Sequence, residues 1–188
     1  MNKLILATAL SAISAASFAA PETFNVEPTH TYPRFEYSHF GYSNQVQRFD
    51  KTSGKIVLDR AAKTGSVDVT IDAKSINTGY ALFNQHIQAE DYFHTEKFPS
   101  IGFKSTAVKF DGDKPVAIEG TLTIKGVSKP VTLTVTSFHA MPHPMLKKDA
   151  IGANASTTVK RSEFNMGKNV PYVSDEVKIN IAVEAIKE

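Results

Sequence analysis

The chain lacks two residue types altogether: its 188 residues include no cysteine and no tryptophan. The absence of cysteine excludes disulfides, Cys-ligated zinc, iron–sulfur clusters and thiol nucleophiles together. An excess of one charge is also lacking, because 21 Lys and Arg stand against 19 Asp and Glu, and the longest basic runs are the pairs Lys147-Lys148 and Lys160-Arg161. A nucleic-acid-binding domain usually carries a basic stripe, which this sequence does not show. The length fits a single domain that is held together by packing alone.

The N-terminus has the pattern of a secretory signal peptide. A short positive start, Met1-Asn2-Lys3, precedes apolar and small residues from Leu4 to Ala16, and Ser17-Phe18-Ala19 supplies the small residues of a cleavage site. The apolar stretch is shorter than the ~20 residues that a transmembrane helix needs. We therefore expect a signal peptide over residues 1–19, a mature domain over residues 20–188 and a periplasmic location.

Apolar and polar residues alternate along most of the remaining chain, which is the signature of half-buried β-strands. The apolar members of the five clearest runs are Val67, Val69 and Ile71; Val116, Ile118, Leu122 and Ile124; Val131, Leu133 and Val135; Ile151, Ala153, Ala155 and Val159; and Val177, Ile179, Ile181 and Val183. Weaker strands are expected near residues 23–27, 35–37, 46–49, 55–59 and 101–110. Turn signals separate the strands: Thr52-Ser53-Gly54, Asp111-Gly112-Asp113, Lys125-Gly126-Val127 and Met166-Gly167.

Helical periodicity is scarce. The best candidate is Ala81–Glu90, where Leu82, Phe83, His86 and Ile87 lie near helical spacing. A chain of short, mostly antiparallel strands with so little helix forms a sandwich or a barrel. The periodicity predicts an all-β fold, and it favours a barrel to a lesser degree, because closure would remove exposed strand edges.

Five motifs, in this order along the chain, resemble those of one family. They are Glu27-Pro28-Thr29-His30, Ser75-Ile76-Asn77-Thr78, the strand that begins Phe98-Pro99-Ser100-Ile101, the stretch from Gly120 to Val131, and Arg161-Ser162-Glu163-Phe164. Together they resemble the YceI-like polyisoprenoid-binding family over the whole mature chain. Two departures are Glu27, where relatives have Asp, and Asn165-Met166-Gly167, where many members have Gly directly after Phe164.

The resemblance implies a lipocalin-like antiparallel β-barrel of about eight strands, with one short helix near the barrel mouth. Its apolar tunnel would hold an isoprenoid lipid, either ubiquinone or a polyprenyl phosphate, and ubiquinone is the first expectation. The two ligands share the tail that dominates affinity, so the sequence leaves the head group open. The resemblance also implies a binding or carrier protein without a catalytic cofactor, and a possible homodimer.

Aromatic residues are concentrated between positions 32 and 49, namely Tyr32, Phe35, Tyr37, Phe40, Tyr42 and Phe49. They either fill the core, which is the commoner fate of apolar aromatics, or line the tunnel. Phe93, Phe103 and Phe164 are further lining candidates, and Ala155 is a small lining position if its side of the strand faces inward. The helix either acts as a lid, with Leu82, Phe83 and Ile87 facing the ligand and His86 or Asn84 near the head group, or plugs the barrel end.

Arg161, next to Ser162, is a candidate donor to a head-group oxygen; the alternative is a local ion pair with Glu163. The segment His139-Ala140-Met141-Pro142-His143-Pro144-Met145 offers imidazole and thioether groups that suit copper, but its prolines are typical of an irregular loop, and we predict no metal site. No nucleophile elbow or phosphate-binding loop is present, so we predict no catalytic residue. Two other functions remain open: a barrel enzyme that acts on an isoprenoid or lipid, and a secreted interaction module.

Overall fold

The computed structural model describes residues 20–188, so the predicted signal peptide over residues 1–19 lies outside the described residues. The described chain forms eleven strands and one α-helix. In chain order the strands are β1 (Glu22–Val26), β2 (Tyr32–His39), β3 (Ser43–Phe49), β4 (Thr52–Asp59), β5 (Thr64–Asp72), β6 (Ile76–Asn77), β7 (Ser100–Asp111), β8 (Lys114–Ile124), β9 (Val127–Pro142), β10 (Asp149–Lys160) and β11 (Glu176–Lys187). The helix α1 (Ala81–His86) lies between β6 and β7, and short 3₁₀ turns cover Ala73–Ser75 and Arg161–Phe164.

The eleven strands fill eight positions around a closed barrel, because three of these positions are each occupied by two consecutive strands of the chain. β1 and β2 both run antiparallel to β11. On their other side, β1 pairs with β4 and β2 pairs with β3. β4 then pairs with β5, and β3 pairs with β6. From β5 onward each strand pairs with the next through β7, β8, β9, β10 and β11. The pairing of β1 with β11 closes the ring. The prediction of an antiparallel barrel of about eight strands is therefore confirmed.

The connections differ at the two ends of the barrel. One end carries the β2–β3 hairpin, residues 78–99 with α1, the β8–β9 turn and residues 161–175 between β10 and β11. The other end carries both chain termini of the described domain and the β4–β5, β7–β8 and β9–β10 turns. We call these the helix end and the far end. Because binding residues often lie on loops that a rigid scaffold positions, the longer connections make the helix end the expected location of a site.

Two clusters of buried side chains pack inside the barrel. The larger contains Phe49, Ile87, Phe93 and Phe164, and the smaller contains Phe24, Leu58 and Ile151 among others. Phe103 packs against both clusters and so connects them along the barrel axis. No helix within residues 20–188 is both long and apolar enough to cross a membrane.

Two local predictions were wrong. Thr52-Ser53-Gly54 is not a turn but the start of β4, where Gly54 lies against the neighbouring strand: a Cβ there would stand 2.2 Å from the carbonyl oxygen of Asp68. The helix is also shorter than Ala81–Glu90, because its last turn tightens into bonds from Gln88 N to Gln85 O and from Ala89 N to His86 O.

Candidate functional site

The barrel interior contains a cavity of about 400 Å³, which is within the range typical of small-molecule sites. Most of its lining is aliphatic or aromatic. The regular strands each contribute residues of a single face: Val67, Val69 and Ile71 from β5, Ile151, Ala153, Ala155, Thr157 and Val159 from β10, and Val177, Ile179, Ile181 and Val183 from β11. The alternation that predicts these strands also predicts that each run shares one face, and that face points inward.

Three phenylalanines form an aromatic cluster in the part of the cavity nearest α1. The ring centroids are 5.8 Å apart for Phe35 and Phe49, 5.9 Å for Phe35 and Phe93, and 5.4 Å for Phe49 and Phe93. Such tilted and edge-to-face pairs are favourable beyond their buried area. The three rings are part of the hydrophobic core and also line the cavity, so filling the core and lining the tunnel are not exclusive roles for these aromatics.

The structure brings most of the predicted ligand-binding residues to this one cavity. They are Phe35, Tyr37, Phe40, Phe49, Phe83, His86, Ile87, Phe93, Phe103, Ala155, Arg161 and Phe164. Lining a cavity is a matter of position, and their part in binding stays a prediction.

Two predicted residues, Tyr42 and Leu82, lie outside the cavity and face solvent. Tyr42 is the last residue of the three-residue turn between β2 and β3 and is 90% exposed. Leu82 is 62% exposed, because α1 turns Phe83, His86 and Ile87 toward the barrel and leaves Leu82 on the opposite side. Asn84 also does not line the cavity; its side-chain oxygen accepts hydrogen bonds from the backbone and hydroxyl of Thr78.

The mouth of the cavity is at the helix end. Five of the lining residues are exposed to solvent, and all five belong to that end: His39, Phe40, His86, Lys168 and Asn169. At the far end the lining side chains are either buried, as are Leu58, Pro115 and Ile151, or half-buried, as are Val108 and Phe138. The cavity is therefore a pocket with one principal opening, between the β2–β3 hairpin, α1 and the segment near Lys168.

Arg161 is buried at this mouth, with 8% of its surface exposed. Its guanidinium donates to four backbone carbonyls: Nε to Ser174 at 2.8 Å, Nη1 to Met166 and to Lys168, and Nη2 to Val173 at 2.7 Å. Burial lowers the pKa of Arg161, and the nearby Asp175 carboxylate opposes this. The expected alternative, an ion pair with Glu163, is replaced by these carbonyl bonds, so Arg161 organises residues 166–174 around the opening.

Other polar groups at the mouth are arranged in pairs. Gln47 Nε2 donates to the Tyr37 hydroxyl at 3.3 Å, and the His86 ring nitrogen Nε2 lies 3.3 Å from the Tyr92 hydroxyl. Burial raises the pKa of the Tyr37 phenol, so its proton is held and can be donated. Lys168, in contrast, is bound to the carboxylate of Asp91.

Sequence reasoning missed several of these polar residues. Gln47 is buried beside the aromatic cluster, and its side-chain oxygen has no hydrogen-bond partner within residues 20–188. The buried Thr52 hydroxyl also has no hydrogen-bond partner among the described residues, and Thr52 lines the cavity. The position of Gln47 two residues before Phe49 was a usable signal, because alternate residues of a strand share a face.

Two polar clusters lie away from the cavity. Glu27, His30 and Glu184 come close enough to hold a metal ion, but the Glu27 carboxylate already accepts hydrogen bonds from the backbone and side chains of Thr29 and His30. In the β9–β10 turn the His143 ring nitrogen Nδ1 accepts from the backbone of Met145 and Leu146 at 3.2 and 3.1 Å. The ring therefore caps the turn. Residues 139–142 of the same segment belong to β9, so the irregular loop that its prolines predict covers only residues 143–148.

The fold and cavity define a class: small closed β-barrels with one deep apolar pocket. Comparison with known proteins gives the family, because residues 24–185 match the YceI-like domain. The chain belongs to this family. It is 32% identical to a UPF0312 protein of Shewanella denitrificans, with all of both chains covered.

Several solved structures share the fold. BcnA of Burkholderia cenocepacia is 26% identical, with a TM-score of 0.73 over 85% of this chain and 99% of that chain. A polyisoprenoid binding domain from Saccharophagus degradans is 17% identical, with a TM-score of 0.65 over 88% of this chain and 98% of that chain. At that identity the second match shows the fold alone.

Proposed function

We propose that this protein is an exported carrier that holds an isoprenoid quinone, most simply ubiquinone, in the barrel cavity. The observation that carries the proposal is the continuous apolar lining, which extends from the buried far end to a mouth fringed by polar groups. This arrangement matches a ligand with a long apolar tail and a small polar head. The five motifs that resemble the polyisoprenoid-binding family support the choice of tail. The Saccharophagus domain, which shares the fold, is described as polyisoprenoid binding.

The tail supplies most of the affinity in this proposal. At ~25 cal/mol per Å² of apolar surface removed from water, a tail that buries roughly 400 Å² gains about 10 kcal/mol before the cost of ordering it. Hydrogen bonds at the head add less, since a neutral one contributes about 1 kcal/mol net. The cavity therefore selects for an apolar chain first and for a head group second.

The polar groups of the mouth favour a quinone over a polyprenyl phosphate. Quinone carbonyls need hydrogen-bond donors, and the Tyr37 phenol is a protonated donor at this position. A phosphate at the mouth needs free cations, but Arg161 already donates to four carbonyls and Lys168 is bound to Asp91. Arg34, which also lines the cavity, lies well inside β2 and not at the mouth. The choice of head group thus rests on which donors remain free.

Export to the periplasm is proposed on the sequence pattern of residues 1–19. We also propose that the protein binds its ligand without changing it, as a carrier would. An activity that is abolished by changing one titratable residue of the mouth, such as His86, would replace this proposal with the enzyme alternative.

The test is to identify the lipid that the purified protein contains. We expect organic extraction followed by mass spectrometry and an ultraviolet spectrum to give a quinone, which absorbs in the near ultraviolet. A polyprenyl phosphate, which does not, would overturn the head-group assignment, and an empty protein that does not take up added quinone would overturn the carrier function.

A substitution inside the cavity tests the location. Ala155 faces inward on β10, and Ala155→Trp should fill the space that the tail occupies and strongly reduce bound quinone while the barrel still folds. Thr158→Trp is the matched control, because Thr158 lies on the same strand but faces solvent. Equal quinone content in the two folded variants would place the ligand elsewhere.

A further inference from the structure

Large apolar side chains remain exposed in a ring around the mouth. Phe40 and Tyr42 lie on the β2–β3 hairpin, Tyr80 and Leu82 at the start of α1, and Val170 and Tyr172 on the segment between β10 and β11. We call these six residues the rim. Soluble surfaces rarely concentrate such side chains in one place without an interaction to cover them.

The rim is held in a defined conformation. Phe40 has φ 53°, and the following Gly41 has φ 72°, so a bulky residue occupies the left-handed region that glycine normally fills. The backbone N–H of Phe40 donates to the carbonyl of Tyr172 at 2.7 Å, and the two rings stack with centroids 6.0 Å apart. Strain of this kind persists only where surrounding contacts enforce it, and here it presents Phe40 at the opening.

We propose that the rim docks the barrel mouth on the surface of a lipid bilayer. The inference rests on the proposed function in one respect: an isoprenoid lipid is stored in membranes, so the mouth must meet a membrane to load or unload. The composition of the rim is independent support, because Tyr and Phe are side chains that settle at the membrane–water interface. A mouth pressed against a bilayer gives the tail a path that avoids water.

The charges near the mouth determine which kind of bilayer is expected. The connections at the helix end carry slightly more acidic than basic residues, namely Glu90, Asp91, Glu96, Glu163 and Asp175 against Lys97, Lys125, Arg161 and Lys168. Attraction to anionic lipids comes from basic clusters, which this end does not have. Docking should therefore depend on apolar insertion and be indifferent to the charge of the lipid.

The far end provides a matched control. Met145 and Leu146, at the β9–β10 turn, are also large, apolar and exposed, and the neighbouring Lys147 and Lys148 add positive charge. If any exposed apolar group sufficed, or if anionic attraction dominated, the far end would bind as well as the rim. The proposal requires the opposite.

The experiment is co-sedimentation of the purified protein with vesicles that contain no isoprenoid, made either of phosphatidylcholine alone or with added phosphatidylglycerol. We expect partition onto both kinds of vesicle to about the same extent. The double variant Tyr42→Ser/Tyr172→Ser, which leaves the cavity lining intact, should lower the partition coefficient about tenfold or more. The double variant Met145→Ser/Leu146→Ser should leave it unchanged.

Three outcomes would overturn the proposal: no partition of the unaltered protein, equal losses in the two double variants, or binding only when phosphatidylglycerol is present. Light scattering on the same samples tests the alternative that a second copy of the chain, and not a bilayer, covers the rim. If the rim variant separates a dimer into monomers without changing vesicle binding, the rim is a contact between two copies of the chain. Bound quinone is measured separately by extraction, so a protein that docks but carries no quinone contradicts the proposed function and leaves the docking surface standing.

Discussion

Arg161, the candidate donor to a head group, holds residues 166–174 against the barrel through four backbone carbonyls. Hydrogen bonds from a charged donor contribute roughly 1.5–3 kcal/mol each, and carbonyls left unpaired recover only part of this from water. We expect Arg161→Gln to lower the free energy of unfolding by about 2–4 kcal/mol in urea titrations. Arg60→Gln is the control, because Arg60 makes one exposed contact with Asp113 at 3.5 Å; equal stability of the two variants would show that the carbonyl bonds contribute little.

Glu27 is a second residue whose environment has a measurable consequence. Its partial burial alone would raise the pKa, but hydrogen bonds from Thr29 and His30 together outweigh burial and lower the pKa from 4.5 to about 2. A carboxyl whose folded pKa is lowered stabilises the fold above its unfolded pKa, and this contribution is lost as the pH falls. The relevant window therefore runs from pH 4.5 down to about 2.

The prediction is a pH-dependent effect of Glu27→Gln. The variant should be less stable than the unaltered protein near neutral pH, and the difference should shrink steadily below pH 4.5. Urea titrations at several pH values measure it, and Glu96→Gln, at an exposed position, is the control. A stability difference that stays constant across this window would contradict the low pKa.

At the scale of single strands, β4 and β5 approach each other closely at Gly54. Its φ of 151° lies in a region that side chains rarely adopt, and an added Cβ would stand 2.2 Å from the Asp68 carbonyl oxygen, which is fixed backbone. We expect Gly54→Ala to cost about 2–3 kcal/mol in thermal or urea unfolding. Gly102→Ala on β7 is matched to it, because apart from its chain neighbours no atom of residues 20–188 lies within 4 Å of a Cβ there. A comparable loss in both variants would refute the explanation by close approach.

The strands differ in how well alternation predicts them, and the reason is local. β5, β10 and β11 keep one set of residues inward from end to end, so period-two reasoning identified their faces. On β9 the inward-facing positions change from odd to even numbers between Val135 and Phe138, near a register shift opposite Asn154 and Ala155. On β8 the alternation also breaks, because Pro115 is buried while Val116 is exposed. A bulge adds one residue without a composition of its own, so alternation alone cannot place it.

At the scale of the whole molecule, the sequence predicted the barrel and many of the residues that line its cavity, and the family resemblance placed the helix near the mouth. Neither predicted which other segments surround the opening. Closure pairs Phe24 with Lys187, and the mouth forms where segments distant in sequence meet, such as Phe40 with Tyr172. Tyr42 and Leu82 resemble their cavity-lining neighbours in composition and differ from them only in direction. That direction is set by a three-residue turn for Tyr42 and by one face of a short helix for Leu82, and neither period nor composition determines these features.

The whole-molecule charge balance leads to the last prediction, that retention of the ligand depends little on ionic strength. The tail would lie inside a closed barrel, while the cations at the mouth, Arg161 and Lys168, already have partners of their own. Burial of apolar surface is not weakened by salt, whereas an exposed ionic contact is screened over ~3 Å at ~1 M. Quinone per protein, measured after gel filtration at ~0.05 M and at ~1 M sodium chloride, should therefore be equal or slightly higher at the higher concentration. Release of most of the ligand at high salt would mean that a charged head group supplies the affinity, and the bound lipid would then have to be an anionic one held by cations at the mouth.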